Sequence, residues 1–461
     1  MQKPSWLTYK GVSTLPLLLI IPLLILGFSN HWSYDESTTY TNIIHASPRQ
    51  IFQYEQYNLA NNHVLNSLYY KWLENMGVKT MFLFRLPSFL MFFVYFWAVS
   101  RLLKDKEGYQ LRHIDQVMLY MWPYYIYFAQ ARGYALAMIC LLAMIIHLRH
   151  YMADGKPRQL LYIILLGCLG SISIFSFLFP VVAIFIIAGI SRFSETIKSP
   201  VRILIFAISI PVFLYIFDKG QIVSKYDPAI IGRDSLFRGG TLSSLISFLS
   251  LNEFAPVNVF LTLKWIIVAA LVPAAVVFIR KGKIYVELTI VLITLLLLVA
   301  AHYAFGAMYP IYRGVAYIIM LVLLSFAYTN FKKNIFNTIF FLSIILAGFV
   351  YMGYLFYFES RNNMDDVLAY VAEKPGTLLV EDVHPAALAV NHMRHNDTLD
   401  IINNCITEDL PCFDNALDTA KYVVCLPGRL KQAGREQDFE YLYPVATFFY
   451  NNKLFYKRKG W

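Results

Sequence analysis

The charged residues of this chain fall in short intervals between long apolar runs, and that spacing constrains its fold more than any other feature. The runs lie at about 15–28, 81–100, 114–129, 133–151, 160–177, 178–191, 201–217, 257–279, 284–303, 311–329 and 335–357. They make roughly eleven stretches suited to crossing a hydrocarbon core as helices. Between the runs at 160–177 and 178–191 the only punctuation is Phe179-Pro180, and the second of the two is short. Composition agrees: 58% of the 461 residues are hydrophobic and 15% are charged, against about 25% charged in a soluble chain. A soluble fold of this length has no interior large enough for that apolar surface. This excludes a soluble multidomain enzyme, a disordered chain and a disulfide-framework secreted protein.

The formal net charge is +10. In a soluble protein that excess suggests nucleic acid. Here the basic residues sit in short loops, which fits the positive-inside rule instead, so no nucleic-acid partner is expected. Lys3 and Lys10 precede the first run and no small-residue cleavage site follows it, which reads as a retained signal-anchor helix. With the N-terminus in the cytoplasm, the inner loops carry Arg101, Lys104, Lys106 and Arg112, then Arg149, Lys156 and Arg158, then Arg192, Lys198 and Arg202. Arg280, Lys281 and Lys283 follow, and finally Lys332 and Lys333. The expected architecture is an α-helical polytopic membrane protein, residues 1–357, with outer loops at about 30–80 and 218–256. A small outward α/β domain follows at 358–461. In it, Met364 to Glu373 and Pro385 to Arg394 read as helices, Thr377 to Val380 and Tyr422 to Leu426 as strands. A bacterial inner membrane is the expected location. Cys140 and Cys168 lie in apolar runs as packing residues; Cys405, Cys412 and Cys425 lie in the tail, where one pair can be oxidised.

Candidate chemistry gathers on the outer side. Trp32-Ser33-Tyr34-Asp35-Glu36 puts two adjacent carboxylates at a membrane boundary, which is costly unless they are solvated, paired or used. The plainer alternative is an ordinary polar loop start. The functional one is a general base, and since neighbouring residues diverge on a helix, one of the pair, Asp35, meets the acceptor. From Val64 to Leu73 the pattern suits an interfacial helix, opened by Asn61, Asn62 and His63. In the same loop as Asp35 it offers a wall for a substrate cavity; a capped surface helix is the alternative. Arg85, Arg132 and Arg313 lie near outer boundaries, where basic residues should be scarce. Guanidinium pairs bidentately with phosphate, though it also snorkels or makes structural ion pairs. A sugar donor with a phosphate leaving group needs positive charge to receive the phosphate and one carboxylate to take the acceptor's proton.

The Asp35-Glu36 pair, the Asn61-Asn62-His63 segment, Arg85-Leu86-Pro87-Ser88, Ala131-Arg132-Gly133-Tyr134 and Tyr309-Pro310 with Arg313 resemble, in their order, motifs of the GT-C membrane glycosyltransferases. The nearest branch is that of protein O-mannosyltransferases and bacterial aminoarabinose transferases. The resemblance covers the first half best. It implies a polyprenyl-phosphate sugar donor, inversion at the anomeric carbon, membrane lipids as surroundings, and a lipid, glycan or protein acceptor on the outer face. It makes Asp35 catalytic with Glu36 beside it. Arg85, Arg132 and Arg313 become donor-phosphate ligands, and Tyr34, Asn62, His63, Gln130, Tyr134 and Tyr309 cavity residues. Some members bind a divalent metal through acidic residues. Gln130 stands where many relatives carry a Glu, which turns that place toward hydrogen bonding, so no metal ligand is assigned and metal dependence stays open. Asn61-Asn62-His63 also departs from the more usual His-Pro-Pro form.

Two other classes are consistent with a polytopic chain. A transporter or flippase for a lipid-linked solute would place ionisable groups near the bilayer midplane. Here the spans are nearly free of acids, with Glu287 the main exception, close to the inner boundary. An envelope assembly protein would use the tail as its binding module.

Overall fold

The computed structural model describes residues 8–9, 12–13, 15–28, 34–54, 62–104, 125–226, 232–236, 241–242, 286–310, 312–327, 364–381, 388, 391–392, 397–402, 410–445 and 453–460. The expected spans at 257–279 and 335–357 and most of that at 114–129 lie outside these residues. The described residues are mostly helical and include four candidate membrane-spanning helices and a small sheet domain. It divides into two compact units. The first comprises 1–24, 49–66 and 85–351, the second 25–48, 67–84 and 352–461.

In chain order the helices are α1 (Ile20–Phe28), α2 (Tyr34–Ile43), α3 (Pro48–Gln53), α4 (Val64–Asn75), α5 (Met81–Lys104), α6 (Tyr134–Asp154), α7 (Pro157–Ser173), α8 (Leu178–Ser191), α9 (Phe193–Thr196), α10 (Pro200–Tyr226), α11 (Val286–Phe305) and α12 (Ala316–Ala327). Among the described residues, four stretches are long and apolar enough to cross a membrane: Met81–Leu103, Tyr134–Asp154, Pro200–Val223 and Val286–Phe305. In α10, Ile203, Leu204, Ile208, Ile210 and Leu214 are exposed, an outward apolar face of the kind that lipid covers.

Three details differ from the expectation. The helix break falls at Ile174, whose backbone is extended, ahead of a 3-10 turn at Phe175–Phe177. Pro180 sits in the first turn of α8, where a missing N–H costs no helical bond. Helix α10 runs to Tyr226 and so takes the first residues of the expected outer loop at 218–256. The described end of the 114–129 run is a 3-10 turn, Tyr125–Phe128.

Within the first unit, α6 is the buried centre. It packs along α7 and α8, while α11 packs on α8 and α12. Apolar residues surround α6 on all sides, as a bundle centre requires. It stops at Gly155, whose left-handed φ of 66° lets its N–H bond to Tyr151 O. Pro157 then opens α7 at a position that needs no N–H. Two of the basic residues read as inner-loop signals, Arg192 and Arg202, are spent on this end of the bundle. Arg192 donates to the carbonyls of Met152 and Ala153, Arg202 to that of Gly155, and Glu195 pairs with both arginines. Those carbonyls end a helix, where cations are favoured. Glu287, buried at the start of α11, pairs with Arg149 of α6.

In the second unit the sheet comprises β1 (Leu378–Val380), β2 (Ile401–Ile402), β3 (Tyr422–Cys425), β4 (Phe439–Val445) and β5 (Lys453–Arg458). The strand order is β2-β1-β3-β5-β4. Strands β1, β2 and β3 are parallel, whereas β5 runs antiparallel to both β3 and β4. Central β3 is buried at every position, as a strand covered on both faces must be. Edge strand β4 is broken by a bulge between Tyr441 and Tyr443 and carries Pro444, two devices that blunt an edge. Helix α13 (Met364–Glu373) buries Met364, Val367, Leu368 and Val371 at helical spacing. Helix α14 (Leu410–Leu417) adds Phe413 and Leu417 to the core around Leu379 and Val423. Of the tail cysteines, Cys412 is disulfide-bonded and Cys425 is a free buried thiol. Cys405 lies outside the described residues.

Candidate functional site

The first unit builds a polar network around Arg132. After the 3-10 turn Tyr125–Phe128 the chain makes a tight bend, in which the Arg132 N–H bonds to Gln130 O, and α6 starts at Tyr134. The bend is pinned from two sides. Asn66 of α4 donates its side-chain amide to Ala131 O, and Ser88 of α5 donates its hydroxyl to Arg132 O at 3.4 Å. The Arg132 side chain is 5% exposed. Its Nε and one Nη both lie 3.2 Å from His63 Nε2. His63 Nδ1 lies 3.1 Å from the carbonyl of Ser173, at the end of α7. A carbonyl only accepts, so Nδ1 carries the proton and Nε2 presents its lone pair to the guanidinium. The imidazole is thereby fixed as one neutral tautomer. Tyr134 closes the group, with the Arg132 guanidinium 5.2 Å from its ring centre and Tyr127 stacked on it at 4.5 Å.

Gly133 makes this packing possible. A Cβ there would sit 2.6 Å from Ser173 O and 3.2 Å from His63 Cβ. The motif's glycine is therefore a close-approach residue, and Ser173 is a member of the network that sequence reasoning missed. Nothing local to Ser173 announces it, because its contribution is a backbone carbonyl freed by the break at Ile174.

Asn62, Arg85, Gln130, Tyr309 and Arg313 also belong to the first unit. Asn62 is buried and structural: its amide bonds to Ile51 O at 3.0 Å, and Tyr54 donates its hydroxyl to Asn62 O at 2.7 Å. Tyr54 holds a left-handed φ of 58°, uncommon for a tyrosine, beside that bond. Arg85 is buried on α5, two residues before Pro87. Because Pro87 has no N–H for Leu83 O, that carbonyl is open to another donor, and the Tyr69 hydroxyl fills it at 2.8 Å. Tyr309 pairs with Arg233 in a two-residue ladder and stacks on His302 at 4.5 Å. It shares no described contact with the Arg132 network. Arg313 lies in the 3-10 turn Tyr312–Val315, and its side chain is outside the described residues. Gln130 is partly buried at the bend.

Asp35 and Glu36 belong to the second unit, in the first turn of α2, where the helix dipole favours acids. They differ sharply: Glu36 is 1% exposed, while Asp35 is only partly buried. Tyr34 opens the same helix, its side chain outside the described residues. Among the described residues no group of three or more His, Cys, Asp or Glu side chains is placed to hold a metal ion. The neutral Gln130 stands in the bend, and no step is assigned to a metal ion. Neither a family model, nor a curated protein, nor a solved structure matches the chain.

Proposed function

We propose that the chain is an integral membrane glycosyltransferase, GT-C-like, that moves a sugar from a polyprenyl-phosphate donor to an acceptor on the non-cytosolic face. The acceptor's oxygen or nitrogen attacks the anomeric carbon, its proton passes to Asp35, and the sugar–phosphate C–O bond breaks with the electron pair leaving on phosphate. Phosphate is already a good leaving group, so the demand on the protein is for charge and position rather than a strong acid. The observation that carries the reading is the oriented Arg132 guanidinium, buried and held by a neutral imidazole just ahead of the N-terminus of α6. A cation fixed in a low-dielectric site is where a departing phosphate is best received. Arg85 and Arg313 are assigned the same role in the proposal. The greater exposure of Asp35 over Glu36 supports Asp35 as the carboxylate that an acceptor reaches. The Cys412 disulfide supports an oxidising, extracytoplasmic setting for the tail, in line with the basic inner loops.

The transporter alternative gains no specific support. Glu287, the main acid of the spans, is engaged with Arg149.

The proposal gives His63 a distinct test. Glutamine can place a carbonyl oxygen near the Nε2 position and so keep an acceptor for Arg132, whereas asparagine can replace only the Nδ1–H. We expect His63→Asn to lower kcat/KM for the lipid donor by about 10²-fold, the scale of a misplaced reacting group. His63→Gln should recover most of that loss. Gly133→Ala should behave like His63→Asn, because its methyl would collide with Ser173 O. Steady-state transfer by purified protein in vesicles separates the three variants. Equal activity in all of them would remove the network from the mechanism.

A further inference from the structure

Away from the Arg132 network, the second unit contains a histidine with both ring nitrogens on carboxylates. His392 Nε2 lies 2.9 Å from Glu74 Oε1, at the end of α4, and Nδ1 lies 2.7 Å from Asp397 Oδ2 in the tail. The other Glu74 oxygen accepts the Tyr40 hydroxyl of α2, so both oxygens of that carboxylate are engaged as acceptors. Ionised carboxylates do not donate, so His392 must hold a proton on each nitrogen and is an imidazolium here. Lys79 donates to the His392 carbonyl at 3.2 Å, and the Tyr40 ring lies 6.0 Å from the imidazole. The charged and titratable groups described around His392 are therefore Tyr40 from α2, Glu74 from α4, Lys79 from the following turn and Asp397 from its own segment.

The segment that carries His392 is braced. Asn391 donates its amide to Leu399 O and accepts the Leu399 N–H, at 3.1 and 3.2 Å. Asp397 takes a left-handed φ of 60°, which aspartate tolerates, and its N–H bonds to Asn391 O. Among the described residues, His392 reaches α4 through its imidazolium on Glu74, Glu74 in turn accepts the Tyr40 hydroxyl of α2, and Lys79 bonds to the His392 carbonyl.

We propose that His392 is a proton-dependent latch that holds the tail on α2 and α4, closed while the imidazole is charged and opened by its deprotonation. Helix α2 is the one that bears Asp35, so the latch steadies that helix whatever reaction the chain performs. Burial alone would lower the His392 pKa, but the bonds to Glu74 and Asp397 and their negative charges outweigh it and raise it above the usual histidine value. Burial would raise Glu74, yet the bonds from Tyr40 and His392 and the charges of His392 and Lys79 hold it below the ordinary carboxylate range. A raised histidine contributes fully below its unfolded pKa of about 6.5 and loses that contribution as pH climbs through the folded value. A depressed glutamate loses its contribution only as pH falls through its own lowered value. The latch is therefore whole between the lowered Glu74 value and the usual histidine value, and opens as pH rises through the raised His392 value.

The test uses the full chain in lipid nanodiscs with spin labels at the exposed positions Asn75→Cys and Asp414→Cys, read as a distance distribution at pH 6 and pH 9. We expect one narrow distribution at pH 6 and a broader or shifted one at pH 9. His392→Phe keeps a ring beside Tyr40 but no proton, and should give the pH 9 distribution at both pH values. Asp397→Asn, which removes one charge without removing the loop, should move the midpoint of opening to lower pH. A wild-type distribution that does not change between pH 6 and pH 9, or an Asp397→Asn midpoint equal to wild type, overturns the proposal.

Discussion

Replacement of Asp35 by asparagine is expected to cut sugar transfer by about 10²–10⁴-fold, the usual contribution of a general base, while insertion and folding stay normal. Asparagine keeps the size and polarity of the side chain and removes its charge and its capacity to take a proton. Asp35 lies in the first turn of α2, where its charge also favours the helix dipole, a surface effect of about 0.3–1 kcal/mol. The same change at Glu36 should act differently. Glu36 is 1% exposed, so Glu36→Gln alters a packed group, and its effect should show in stability as well as in transfer. Transfer assays run beside thermal unfolding of each variant distinguish the two carboxylates. If Asp35→Asn keeps full activity, Asp35 is not the base.

Replacement of Glu381 by alanine is expected to destabilise the sheet domain by about 3–5 kcal/mol, the scale for breaking a buried ion pair on one side. Glu381 is fully buried at the end of β1 and lies 2.8 Å from Arg429 Nε. Its other oxygen accepts the Leu426 N–H at 2.6 Å, just past β3, and its carbonyl accepts the buried Lys453 ammonium. Alanine takes the carboxylate from the Arg429 guanidinium and the acceptor from one backbone N–H, and keeps only the backbone carbonyl for Lys453. Glutamine retains an oxygen for Leu426 and should lose less. Cys425 supplies the readout. Its thiol is fully buried on β3, and burial first, then the charge of Glu381, push its pKa up to about 12 against the opposing pull of Lys453 and Arg429. Thiol labelling mapped to Cys425 in the full chain should speed up by about 10²–10⁴-fold in Glu381→Ala, as the quoted destabilisation requires. An unchanged labelling rate would mean that the ion pair does not hold the domain closed.

These effects differ in how far the sequence discloses them. The spanning helices of the first unit follow from apolar runs bounded by charge, except at 160–177 and 178–191, which only Phe179-Pro180 separates. The tail strands at Thr377 to Val380 and Tyr422 to Leu426 are legible because parallel strands buried on both faces read as continuous apolar segments. The break between α7 and α8 is not legible at its true place. Proline is the strongest local marker, yet Pro180 falls where a helix accepts it, and the extended residue is the unmarked Ile174. The Arg132 bend is only half legible. Arg132, Gly133 and Tyr134 lie together in sequence, but their partners His63, Asn66, Ser88 and Ser173 arrive from three other helices or their ends. Ser173 contributes only a carbonyl, which no side-chain pattern announces. His392 and Glu74 are farther still, 318 positions apart, and neither lies in a motif. Polar pairs that close long loops are set by tertiary packing, not by local spacing.

The central claim is that sugar transfer breaks the bond between sugar and lipid phosphate. The most direct measurement reconstitutes the purified chain in vesicles with a native membrane lipid extract containing polyprenyl-phosphate sugars, and follows free polyprenyl phosphate by mass spectrometry. The account predicts release of one polyprenyl phosphate for each sugar joined to acceptor, abolished in Asp35→Asn. Donor lipid that crosses the bilayer intact, with no polyprenyl phosphate formed, would contradict it and establish the chain as a lipid translocator instead.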